Sequence, residues 1–158
     1  MAGTARKRIA HKIELHWDRA GGNNFTRLCN VKKITGVGFS LDAVDFTCLE
    51  DEIMQNAPSP VLNLGDLQLE IYWDDGDADH QAFEDMVCNP PEPQSDPTNY
   101  PAFQIRLPFA TPIAKTFHGW LKDLPGSEYE VKTEIMRQAV VNVNTKPVTG
   151  PVPPPTGP

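Results

Sequence analysis

The residues best suited to chemistry lie in the stretch 74–80, where Asp74, Asp75, Asp77 and Asp79 run into His80. Acids this close could converge on a hard cation, which takes several oxygen ligands from one loop. The spacing does not complete such a loop. Counting from Asp75, the position that needs glycine for the sharp turn holds His80, and the closing position that needs a bidentate glutamate holds Met86. The stretch reads instead as a solvated turn and helix N-cap, its carboxylates near the positive end of the helix that follows. The four histidines, His11, His16, His80 and His118, are dispersed, and no serine or cysteine stands in a GxSxG-type nucleophile elbow. Gly36 and Gly38 lack the further glycine and the following helix of a dinucleotide fingerprint, and read as bends in a strand. Glu14, Glu70 or Glu130 could each be half of a glycosidase carboxylate pair, but acids on the wet face of a strand are ordinary. Cys29, Cys48 and Cys88 are odd in number and far apart. They make neither a disulfide framework nor a four-ligand zinc site, and read as reduced, mostly buried thiols. The expectation is no catalytic, cofactor-binding or metal-ligating residue, and no enzyme.

With chemistry set aside, architecture carries the functional information. A chain of 158 residues fits one domain and can remove roughly 70% of its unfolded surface from water. Charged residues at 22% and apolar ones at 39% mark a globular chain rather than a disordered one. A net charge of −7 argues against tight non-specific DNA binding, which needs lysines and arginines to replace counterions. It leaves room for a surface past which DNA slides. Arg6, Lys7 and Arg8 precede no apolar run, so no signal peptide is expected. No stretch approaches the roughly 18 apolar residues of a membrane span.

The elements follow from periodicity. Residues 13–17 alternate, with Ile13, Leu15 and Trp17 against Glu14 and His16, and residues 20–24 form a turn cluster. Residues 31–49 read as strand bent at Gly36 and Gly38, with Val44, Phe46 and Cys48 alternating against Asp45 and Thr47. Residues 50–65, with Pro58 and Pro60, read as a long loop. Residues 67–74 are the cleanest strand: Leu67, Leu69, Ile71 and Trp73 face one way, Gln68, Glu70, Tyr72 and Asp74 the other. Asp77 or Asp79 caps a helix with an apolar stripe of Ala82, Phe83, Met86 and Val87. A five-proline loop at 89–101 follows, then strands at 103–107, 115–121 and 130–143. The last is apolar on one side except for Arg137. Trp17, Trp73 and Trp120 read as core or interface anchors. The expected organisation is a flexible basic N-terminal arm (1–12), a β-domain (13–145) and a flexible Pro/Gly-rich tail (146–158). The fold class is mainly β (α+β): an antiparallel β-sandwich or barrel-like domain with one short flanking helix.

This order of elements resembles the major tail tube protein of long, flexible-tailed (siphovirus-type) bacteriophages. Residues 34–51 carry a strand, a glycine-bearing bend and an acid–apolar–threonine strand (Asp45, Phe46, Thr47) running into acidic Glu50 and Asp51. Then come the 67–74 strand, the acidic turn and short helix of 75–87, and the 103–107 strand before Pro108. The strand around Phe117, His118, Gly119 and Trp120, and the long last strand, complete the pattern. The likeness covers roughly residues 25–145; the proline-rich 89–101 insertion and the tail depart from it.

The resemblance implies a tail tube fold and a structural virion protein. Hexameric rings of subunits would stack into a tube, the conduit for genome delivery into the host. The partners implied are the chain itself, the tape measure protein, tail tip or initiator proteins and tail terminator proteins. Double-stranded DNA would pass transiently without specific binding, and the chain would not insert into a membrane. Synthesis in the host cytoplasm and assembly into the virion follow. An acidic subunit suits this role, since a negative lumen repels phosphates. Asp45, Gln68 and Glu70 are the candidates for the lumen, and Met54, Val61 and Leu62, on the 50–63 excursion, for ring stacking. The alternatives are the tube protein of a contractile tail or secretion system, and a virion or cell-surface carbohydrate-binding β-sandwich with Trp73 or Trp120 as its platform.

Overall fold

The computed structural model describes residues 13–20, 24–36, 38–45, 53, 55–108, 111–126 and 129–152. In chain order its elements are β1 (Glu14–Asp18), β2 (Thr26–Leu28), β3 (Val31–Thr35), β4 (Phe39–Asp45), β5 (Asn56–Leu64), β6 (Leu67–Tyr72), α1 (Ala78–Cys88), β7 (Ala102–Leu107), β8 (Ile113–Asp123), β9 (Met136–Val143) and β10 (Val148–Pro151). Every strand pairing among the described residues is antiparallel. The larger sheet has the order β2-β1-β7-β8-β9-β6-β3, with β10 also on β8; β4 and β5 form a separate pair.

Long β8 joins the two halves of the larger sheet. Its first half pairs with β7 and β10, and from Gly119 onward it pairs with β9. At that switch the backbones press together. A Cβ on Gly119 would sit 2.0 Å from the carbonyl oxygen of Asn142, so only glycine fits. Strand alternation then fills one core from both halves. Leu67, Leu69 and Ile71 of β6 meet Leu15 and Trp17 of β1, Phe103 of β7, Phe117 of β8 and Val141 of β9. Phe103 and Phe117 stack with ring centroids 5.8 Å apart.

Helix α1 closes one end of this sandwich. The Asp77 carboxylate accepts the Asp79 N–H as its N-cap, and His80, Phe83 and Met86 are buried beneath it. Phe83 meets Trp17 edge-on. Arg137, the odd charge on the apolar side of β9, is satisfied here. Its guanidinium donates to Glu84 Oε2 at 2.8 Å and to the carbonyls of Leu124 and Pro125, and lies over the Trp73 ring.

Several elements differ from the sequence expectation. The supposed loop 50–65 contains β5. Its Pro58 and Pro60 are tolerated because, among the described residues, β5 has a ladder partner on one side only. Where the sequence suggests one strand bent at Gly36 and Gly38, β3 ends at Thr35 and β4 begins at Phe39 in a different sheet. β9 starts at Met136, six residues late, because residues 131–133 form a turn with Lys132 at φ 68°. The tail expected to be extended from 146 returns to the sheet as β10, facing Thr116 to Ile113. β2 is absent from the sequence reading because three residues carry no readable period. Cys29 is half-buried and Cys88 exposed, where the sequence suggests buried thiols. The arm 1–12, Phe46, Thr47, Cys48, Glu50, Asp51 and Met54 lie outside the described residues.

Candidate assembly interface

The β4–β5 hairpin is amphipathic and uncovered. Phe39 faces Leu64 and Leu41 faces Leu62, so these four share one side; Ser40 faces Asn63 on the other. The apolar side is in water: Phe39 is 53% exposed, Leu41 54% and Leu62 38%. Val61 and, beyond a register shift, Val44 are exposed as well. A two-stranded hairpin is marginal in water by itself. This one is pinned at its base, where the Gly65 N–H donates to the Gly38 carbonyl at 2.8 Å. Exposed apolar side chains gathered on one pair of strands mark an interaction surface.

At the foot of the hairpin an apolar cleft of about 350 Å³ opens between the sheet halves. Ile13, Ile34, Phe39, Leu107 and Phe117 line it, and Lys115 and Lys146 stand in the lining. Phe39 belongs to both features, so cleft and hairpin form one continuous apolar surface.

The candidate lumen residues separate. Gln68 and Glu70 lie on the outward face of β6. Glu70 faces Lys33 on one side and Gln138 on the other; Gln68 faces Thr35 and Val140. Asp45 sits at the far end of β4, opposite Asn56, in the other sheet. Val61 and Leu62 are together on β5. Lys33, Gln138, Phe39 and Leu41 complete these two surfaces; cross-strand register brings them in, and sequence alone does not give that.

The acidic turn is a structural device. Asp74 Oδ1 accepts from the Gly76 N–H, and Asp75 accepts from the Trp73 indole and the Tyr129 hydroxyl. His80 is fully buried; its Nδ1 accepts the Asp74 N–H, so its Nε2 carries the proton and donates to the Cys29 carbonyl. Among the described residues no three His, Cys, Asp or Glu side chains group as metal ligands. Trp73 is buried, stacked on His80, and cannot present a sugar platform; Trp120 is half-buried beside Pro90, Pro91 and Pro101.

One titrating pair lies on β1. His16 Nε2 and Glu14 Oε2 are 3.0 Å apart. The hydrogen bond to His16, helped by Arg27, lowers the Glu14 pKa. Burial outweighs that bond for His16 and lowers its pKa too.

No family model matches the chain, and no curated protein matches its sequence. Solved structures share its fold. It superposes on a chain of the anti-feeding prophage baseplate with a TM-score of 0.68 at 13% identity, over 94% of this chain and 98% of the other. A chain from the tail of an empty gene transfer agent particle gives 0.61 at 14% identity, over 86% and 93%. The SPP1 tail tube gives 0.64 at 11% identity, over 89% and 77%. At such identities the likeness is one of fold. Antiparallel sheets with one short helix are the architecture this chain shares with components of phage tails and contractile injection systems.

Proposed function

We propose that this chain is a structural virion subunit, not an enzyme, whose hexameric rings stack into a phage tail tube that conducts the genome. The observation that carries the reading is the amphipathic β4–β5 hairpin with its apolar side in water. Such a surface marks a contact that another subunit covers. Val61 and Leu62, with Phe39 and Leu41, make the contact between rings. The anti-feeding prophage baseplate and the gene transfer agent tail, whose chains share the fold, have six-fold symmetry, which supports a ring of six.

Gln68 and Glu70, on the outward face of β6 beside Lys33, Thr35 and Gln138, line the bore, and Asp45 contributes from the hairpin. The tape measure protein occupies the bore during assembly, initiator and terminator proteins bound the tube, and DNA passes later without specific binding. The protein is made in the host cytoplasm and ends in the virion. A tube of a contractile system is the second reading. It is favoured by the likeness to a chain of a contractile injection system's sheath/tube terminator, at a TM-score of 0.67 and 8% identity.

Sedimentation of the purified chain over a concentration series tests the proposal. Species of six subunits and their multiples, growing with concentration, are expected. A monomer at every concentration that also fails to polymerise on tail tip complexes carrying the tape measure protein would contradict it.

A further inference from the structure

The two ends of the sandwich differ in charge and shape. β1, β6 and β7 run between them, and β3 and β9 run between the same ends, as the antiparallel register requires. One end holds the cleft and the hairpin base. The other holds α1, the turn of Asp74, Asp75 and Asp77, and the 129–134 segment that leads into β9.

That segment is unusual. Tyr129 is 70% exposed and Val131 is 87% exposed, flanked by exposed Glu130 and Glu134. The Thr133 N–H closes a turn on the Glu130 carbonyl, and Lys132 sits at φ 68°, a conformation costly for a residue with a Cβ. The fold thus holds a strained turn that presents two apolar side chains to water. The Tyr129 hydroxyl bonds Asp75, which ties the segment to the acidic turn. Against Asp74, Asp75, Asp77, Asp79, Glu130 and Glu134, Lys132 is the one cation within residues 74–79 and 129–134.

The opposite end is complementary. Lys115 pairs with Ile105 across β7–β8 and follows the parity of Phe117, so it stands on the core-facing side of β8 where the cleft is open. Lys146 faces the same cleft, and both lysines are exposed. Among the described residues no carboxylate forms an ion pair with either.

We infer that the helix end of one copy seats on the cleft end of the next. Tyr129 and Val131 enter the apolar cleft, and Glu130 and Glu134 meet Lys115 and Lys146. The occupant of the cleft is therefore a second copy of this chain. The inference rests on the stacking proposed above and specifies which surfaces meet. The contact is heterologous and does not close on itself, so it propagates in one direction, and the charge match fixes that direction.

Charge reversal in the full-length chain tests it, with unfolding midpoints checked first because all four residues are exposed. Lys115→Glu with Lys146→Glu, and separately Glu130→Lys with Glu134→Lys, are each expected to raise the concentration needed for polymer about tenfold or more. All four changes in one chain recreate the match in every copy and are expected to restore assembly. Double variants that polymerise like the wild type would overturn the inference, as would a folded quadruple variant as defective as the doubles. If the wild type itself forms no polymer, the tube reading fails, which is a separate result.

Discussion

Replacing Gly119 by alanine should cost more than any other single methyl group added at a described glycine. The added Cβ would lie 2.0 Å from the Asn142 carbonyl oxygen and 3.1 Å from its carbon. Real Cβ contacts stay above 3.0 Å, so β8 and β9 must part by about an ångström. Neither side can yield cheaply, since both contacts are backbone. Gly119 is paired with Val143, its N–H donates to the Pro101 carbonyl, and Asn144 donates to the His118 carbonyl beside it. Overpacking costs about 1–3 kcal/mol, and a weakened ladder bond adds about 1 kcal/mol. The sum is about 2–4 kcal/mol. Urea unfolding, run at low concentration so that monomer is observed, should show the midpoint falling by about 1–2 M at a slope of about 2 kcal/mol/M. Gly150→Ala is the control, because nothing lies within 4 Å of the position its methyl would take. It should stay within about 0.5 kcal/mol of the wild type. A Gly119→Ala protein as stable as that control would refute the view that this glycine lets β8 pass between the two halves.

Other outcomes follow from the same structure. Arg137→Ala leaves the Leu124 and Pro125 carbonyls without their guanidinium donor and uncovers Trp73; denaturant titration should show a loss of about 2 kcal/mol, only partly recovered by Arg137→Lys, which lacks the planar fork. The folded protein lowers the pKa of both His16 and Glu14, so the unfolded chain binds more protons. Stability is then fully present above the unfolded pKa values and falls with pH, first below about 6.5 through His16 and then below about 4.3 through Glu14. Melting temperature against pH measures this, and His16→Gln should remove the upper part of the decline. Leu41→Ser with Val61→Ser should leave the monomer within about 1 kcal/mol of the wild type, because both side chains are already exposed, yet abolish polymer seen by light scattering.

Legibility in the sequence follows the reach of local rules. β6 is readable because its alternation is unbroken and its inward side is buried at Leu67, Leu69 and Ile71. Helix α1 is readable from its Asp77 cap and the Phe83–Met86 spacing. Arg137 is visible as an anomaly, but its partners come from Glu84 of α1 and the Leu124 and Pro125 carbonyls that follow β8, which no local pattern names. β5 is hidden by Pro58 and Pro60, residues that speak against a strand only when it needs partners on both sides. β10 is hidden because Pro147, Pro151 and Gly150 look like a solvated tail until β8 offers an edge. The acids of 74–80 read as a turn and cap, and their hydrogen bonds serve that geometry. The cleft is beyond sequence reading. Its lining comes from Ile13 just before β1, from β3, β4, β7 and β8, and from the 146–149 stretch, brought together only by the fold.

Negative-stain electron microscopy of the concentrated, purified chain tests the central claim most directly. Hollow tubes or rings of uniform width, six-fold when seen end-on, are the predicted result. Discrete, solid particles of monomer size, unchanged when tail tip complexes with the tape measure protein are added, would contradict it.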